Sequence, residues 1–155
     1  MLFERERGRS NVTSLIERKS RDAVLLKNDG TQSIPVIGAI SDRLSRLPAP
    51  ARKTITFDRG TEFLRYPVLK QTIGITSYFC DPRSPWQKGA VENSNARMRR
   101  FLPRETDIGT LTQADMERVC EIANTPPRKC LGYRTPKEVF DAHLQGTDGP
   151  IPLAA

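Results

Sequence analysis

Residues 53–80 read KTITFDRGTEFLRYPVLKQTIGITSYFC. Two short runs rich in β-branched and aromatic residues bracket a helical stretch. KTITF (53–57) follows Pro50 and ends at Asp58-Arg59-Gly60, and ITSYFC (75–80) is of the same kind, so both read as strands. Between them, 61–73 reads as a helix, with Gly74 placed to supply a left-handed C-cap. Strand, helix, strand is an α/β order.

The flanks extend it. Residues 12–16 and 23–26 are apolar-rich runs separated by the polar stretch 17–21, a hairpin pattern. Ile37, Ile40, Leu44 and Leu47 recur at helical spacing over 31–47. Ser33 is placed to cap that helix, Pro35 falls in its first turn, and Pro48 and Pro50 end it. After the turn-rich stretch 81–85, a helix resumes over 89–102 and breaks at Pro103. Thr112 with Asp115, and Thr135-Pro136-Lys137-Glu138, are N-terminal capping signals for two further helices. The expected architecture is one α/β domain over 1–144 with a mixed sheet flanked by helices, and a Gly/Pro-rich mobile tail over 145–155.

Lys and Arg number 25 against 18 Asp and Glu, a formal charge of +7, which favours a polyanionic partner. No apolar run approaches the ~20 residues of a membrane span, and the N-terminal MLFERERGRS is charged where a signal peptide is apolar. Cys80, Cys120 and Cys130 are odd in number and share no C-x-x-C spacing, which argues against a disulfide framework or zinc ribbon and fits a reducing cytoplasm. Each reads as a small core or surface residue. His143 stands alone, leaving little material for histidine metal sites or for Ser-His and Cys-His triads.

Two carboxylates stand at element ends. Asp58 closes the KTITF strand, where the crevice of an open α/β sheet receives ligands. Glu92 falls in the first turn of the helix from Gly89, after a stretch stiffened by Pro85 and anchored by Trp86. The plainer roles are a turn cap for Asp58 and a macrodipole partner for Glu92. Asn95 and Arg99 share the Glu92 face, whereas Met98, Phe101 and Leu102 fall on a core stripe. Arg97, Arg99, Arg100 and Arg104 extend a basic surface, whose plainer reading is a solvated face.

FDRGTEF, SYFCDPRSPWQKGAVENSN and PRKCLGYRTPKEVF resemble the successive signatures of DDE transposases of bacterial insertion sequences, most closely the IS30 family. The likeness runs from about Thr13 to Leu144 in the family's order. Thirty-three residues separate Asp58 from Glu92, the family's interval between its second and third acids. The resemblance implies a ribonuclease-H-like integrase core and metal-dependent DNA cleavage and strand transfer during transposition. Asp58 and Glu92 are then catalytic and metal-binding, on two Mg²⁺ or Mn²⁺ ions. Trp86, Gln87, Gly89, Asn93 and Asn95 match positions flanking the glutamate. Lys88, Asn95, Arg97, Arg99, Arg100, Arg128 and Lys129 form the expected DNA-binding set. Expected partners are DNA (element ends and target) and a homo-oligomer or full-length transposase, in the bacterial cytoplasm and on the nucleoid.

Three departures accompany this. Arg59 stands where the family often has Asn, and Thr125-Pro126 where a more basic, Asn-containing stretch is usual. The family's first aspartate, in a Gly-Asp-hydrophobic setting on the first strand, would align at or before Met1, with Leu2 and Phe3 as the apolar pair after it. Glu4 and Glu6 are out of register for it, and Asp22 lies in the hairpin. The expectation is therefore an N-terminally truncated core with the first strand largely missing, marginally stable and unable to transfer strands. The alternative is a non-catalytic basic remnant that binds DNA or joins a full-length transposase.

Overall fold

The computed structural model describes residue 3, residues 9–82 and residues 84–146, with the backbone alone at positions 85 and 88. Expectations placed on Met1, Leu2, Glu4, Glu6, the Lys88 side chain and the tail beyond Gly146 lie outside the described residues.

β1 (Asn11–Ile16) and β2 (Ala23–Asn28) form the expected hairpin, antiparallel from Asn11↔Asn28 to Ile16↔Ala23. The polar stretch between them closes on one carboxylate. Glu17 accepts the Ser20 amide at 2.5 Å, the Ser20 hydroxyl at 2.6 Å and the Lys19 amide at 3.0 Å, while Arg21 takes a left-handed φ of 63°. Burial pushes the Glu17 carboxyl upward, but those hydrogen bonds outweigh it and hold the group below its ordinary value.

α1 (Ser33–Ser45) is shorter than 31–47, and Ser33 is not its cap. Gln32 occupies that position without a side-chain bond, and the Ser33 hydroxyl instead accepts the Arg65 amide at 2.8 Å. β3 (Thr54–Phe57) and β4 (Thr76–Phe79) pair in parallel, Thr54↔Thr76 through Phe57↔Phe79. The single helix expected over 61–73 is a 3₁₀ turn, Thr61–Phe63, followed by α2 (Pro67–Ile73). Pro67 has no amide to continue an earlier helix, and its fixed φ starts a new one. Gly74 ends α2 at φ 72°, as expected.

α3 (Gly89–Met98) stops four residues before 102. The chain continues as turns in which the Phe101 and Leu102 amides both donate to the Met98 carbonyl at 2.9 Å, ahead of Pro103. Met98 and Leu102 are buried, but Phe101 is 44% exposed and leaves the core stripe. α4 (Gln113–Asn124) and α5 (Pro136–Leu144) open with complete capping boxes at Thr112/Asp115 and Thr135/Glu138.

Successive β2 residues feed two cores, as a pleated strand requires. Leu25 packs with Val12, Met98, Leu102, Ile108 and Met116. Leu26 packs with Val36, Ile37, Ile40, Phe57, Leu69 and Ile75. The architecture is α/β, but the single mixed sheet is corrected: the described strands form two two-stranded sheets. No described strand pairs between them, and the α1 core joins them instead.

Candidate active site

Asp58 emerges half-buried at the carboxyl end of β3, and its Oδ1 accepts the Gly60 amide at 3.0 Å. The Glu62 carboxylate packs against Gly60, where an added Cβ would displace it, a shift that the free end of a flexible side chain makes cheaply. Glu62 is thus a second acid beside Asp58. Strand patterning does not single it out, although the Asp-x-Gly-x-Glu order of FDRGTEF is a signal for it.

The parallel ladder brings β4 out at the same end. The Cys80 amide donates to the Phe57 carbonyl at 2.9 Å, so Asp81 leaves β4 alongside the exit of Asp58 from β3. Arg59 Nε donates to the Cys80 carbonyl at 3.4 Å across the pair. Gln87 then ties the next segment back to this end. Its Oε1 accepts the Asp81 amide at 2.8 Å, and its Nε2 donates to Asp81 Oδ2 at 2.9 Å. Two residues later α3 begins, with Glu92 exposed in its first turn, where the helix dipole favours an anion. The expected Trp86 anchor is corrected: the ring is 74% exposed, and the Gln87 amide makes the tie.

The row Glu92, Asn95, Arg99 is not a uniformly solvated face. Asn95 is half-buried, and its Oδ1 is inaccessible and without a partner. Arg99 stacks on Phe3, 4.6 Å from the ring centroid, and donates to the Leu102 carbonyl at 3.3 Å. Burial, then the nearby Arg104 guanidinium, lowers its pKa. Arg97, Arg100 and Arg104 are exposed. Arg128, expected as a DNA contact, is only 8% exposed. Its Nη2 donates to the Ala123 carbonyl at 3.0 Å and its Nε has no partner, so it braces the end of α4. Burial and then Arg97 lower its pKa. Lys129, next to it, is exposed.

Among the described residues, no group of three or more His, Cys, Asp or Glu side chains gathers to hold a metal. No described helix is long and apolar enough to cross a membrane.

No protein-family model matches the chain. Its sequence is 38% identical over 139 residues to the transposase InsI for insertion sequence element IS30C of Escherichia coli strain K12, covering 90% of this chain and 36% of that protein. It is 34% identical over 146 residues to the transposase for insertion sequence element IS1086 of Cupriavidus metallidurans, covering 94% and 43%. The chain thus spans well under half the length of these relatives. Its fold is similar to that in the simian T-cell lymphotropic virus intasome in complex with PP2A regulatory subunit B56 gamma, with a TM-score of 0.61 at 16% identity over 95% of this chain and 57% of that one. The HTLV-2 integrase catalytic core domain in complex with magnesium, in trimeric form, gives a TM-score of 0.50 at 16% identity over 85% and 93%. The chain thus shares the α/β fold of an integrase catalytic core domain, as expected.

Proposed function

We propose that the chain, over the nine-tenths of its length that aligns, is part of a transposase of the IS30 family, and within it part of a catalytic core that cuts and joins DNA strands. Asp58 and Glu92 are the carboxylates that face the reacting phosphodiester. One observation carries the reading: the Gln87–Asp81 clamp starts α3, with Glu92, from the sheet end where Asp58 emerges.

The donor set fits a hard divalent cation, since both candidate ligands are carboxylate oxygens. Asp58 and Glu92 are the residues that would hold Mg²⁺ or Mn²⁺, which when bound supplies charge stabilisation at the phosphate and an activated hydroxyl. The chain's own contributions are positional. The Gly60 amide fixes one Asp58 oxygen, and Gln87 fixes the approach to α3. Exposed Arg97, Arg100 and Lys129 attract the DNA backbone without reading its sequence.

Paramagnetic Mn²⁺ tests the shared site. In an amide NMR titration, signals around both Asp58 and Glu92 should broaden at the same substoichiometric Mn²⁺, and Asp58→Asn or Glu92→Gln should abolish both effects. Broadening around one residue alone refutes the reading. A second reading, a non-catalytic partner of DNA or of a longer transposase, draws on the same exposed cations, which need no metal. It expects duplex affinity that falls steeply with salt and survives Asp58→Asn.

A further inference from the structure

An open hollow of about 330 Å³ adjoins Asp58, lined by Arg59, Gly60, Phe63, Leu64, Tyr66 and Phe79. Its walls are aromatic rings held by one another. Buried Phe57 stacks on Phe63 with centroids 4.5 Å apart and meets Phe79 at 6.0 Å, and Tyr66 contacts Phe79 edge-on at 4.8 Å. Phe57 and Phe79 are register partners, so both strands deliver a ring to the same end of the sheet. The hollow is not a closed core: Leu64 is 68% exposed, Phe79 is exposed, and Arg59 stands exposed beside them. Gly60 belongs both to the lining and, through its amide, to the setting of Asp58.

We propose that this hollow receives a single unpaired DNA base beside the phosphate presented to Asp58. The inference deepens the DNA-processing reading and rests on it. A nucleobase is a flat ring with a polar edge, and the hollow offers ring faces and ring edges with one guanidinium at the margin. Its volume is at the small end for ligand sites, which suits one base and excludes a duplex. Stacking on aromatic side chains is indifferent to base identity, so the hollow captures an opened nucleotide without selecting sequence. The net charge of +7 and Arg59 at the margin favour a nucleic acid over an apolar protein segment.

Two duplexes of one sequence test it, one fully paired and one carrying a single unpaired 2-aminopurine, in metal-free buffer. The 155-residue chain should bind the second about tenfold more tightly, within the range for one stacked base, and 2-aminopurine emission should fall on binding. Phe79→Leu keeps an apolar filler without a ring face and should erase both effects. Because Phe79 also packs on Phe57, Leu64→Glu at the exposed margin serves as the second variant, with the same expected loss. Equal affinity for the two duplexes, unchanged emission, or a preference that survives Leu64→Glu overturns the proposal. So does a Leu64→Glu effect confined to self-association in sedimentation, which would make the hollow a protein contact. The metal-free readout separates the two failures. Paired DNA bound without preference sinks the hollow alone, a failed Mn²⁺ titration with preference intact sinks the metal site alone, and no duplex binding sinks both.

Discussion

The antiparallel pair buries Val12, Thr13, Ala23, Leu25, Leu26 and Asn28, whereas the parallel pair buries only Phe57. Their outer strands differ as well. β2 is closed off by side chains from one face of α4. Asn124 exchanges two hydrogen bonds with the Ala23 backbone at 3.0 and 2.9 Å, and Cys120 Sγ accepts the Leu25 amide at 3.1 Å. Gln113 donates to the Leu25 carbonyl and accepts the Lys27 amide, both at 2.9 Å. β4 instead leaves Tyr78 and Phe79 exposed, with Phe79 in the lining of the hollow. An edge strand satisfied by a helix is protected from stray pairing, while one with exposed rings is open to a ligand. On the proposed reading the hairpin half is the scaffold and the parallel pair the working side, drawn from the less buried part of the fold.

Core truncation on the scaffold side should have the largest effect. Leu25→Ala removes a side chain with no exposed surface and should cost ~2–5 kcal/mol, read by urea denaturation. Tyr78→Ala, on an exposed β4 position, should stay within about 0.5 kcal/mol. Comparable losses from the two would break the contrast.

Sealing of the β2 edge comes next. Asn124→Ala leaves the buried Ala23 amide and carbonyl without partners and should cost ~1–3 kcal/mol, with faster hydrogen exchange at Ala23. The same seal explains Cys120. Burial pushes its thiol up to about 11, with the Leu25 amide opposing, so it should resist alkylation under conditions where exposed Cys130 reacts.

Local signals were legible where a single residue type decides the backbone. Thr112/Asp115 and Thr135/Glu138 cap as expected, and Gly74 turns left-handed as expected, because those features are set within four residues. The carboxylates were placed at the right element ends by strand patterning and by the linked signature blocks. What misled was long-range. Ser33 bonds Arg65 rather than its own helix, Trp86 faces solvent, and Arg128 turns inward onto Ala123. Each depends on partners brought together only by folding. The α4 seal was invisible for the same reason: Gln113, Cys120 and Asn124 look like an unremarkable polar stripe until β2 lies against them.

Backbone freedom gives a smaller test of both halves' supporting helices. Gly74→Ala forces a Cβ into φ 72° at the end of α2 and should cost about 1 kcal/mol. Gly38 lies inside α1, where an added Cβ would meet nothing within 4 Å, and should do the opposite: Gly38→Ala should stabilise by ~0.5–1 kcal/mol. Opposite signs from one substitution type, read as shifts in Tm, would place the strain at the α2 cap.

The smallest expected effect tests whether closure of the scaffold side carries a cost. Asp22 precedes β2, and burial pushes its carboxyl from an ordinary 3.8 up to about 6. Arg43 and Lys137 oppose that shift, while Asp141 and Glu17 add to it. A raised carboxyl pKa means that the folded state prefers the protonated acid. Ionisation therefore erodes stability as pH climbs from 3.8 toward 6, and the penalty is complete above that point. Asp22→Asn removes the titration, so the variant should match the parent at pH 4 and melt slightly higher at pH 7. Partial solvent screening and the Arg43 and Lys137 charges keep the gain small. A variant that melts lower at pH 7 would show that attraction to Arg43 outweighs desolvation, and the hairpin end would then be held by an ion pair rather than sealed at a cost.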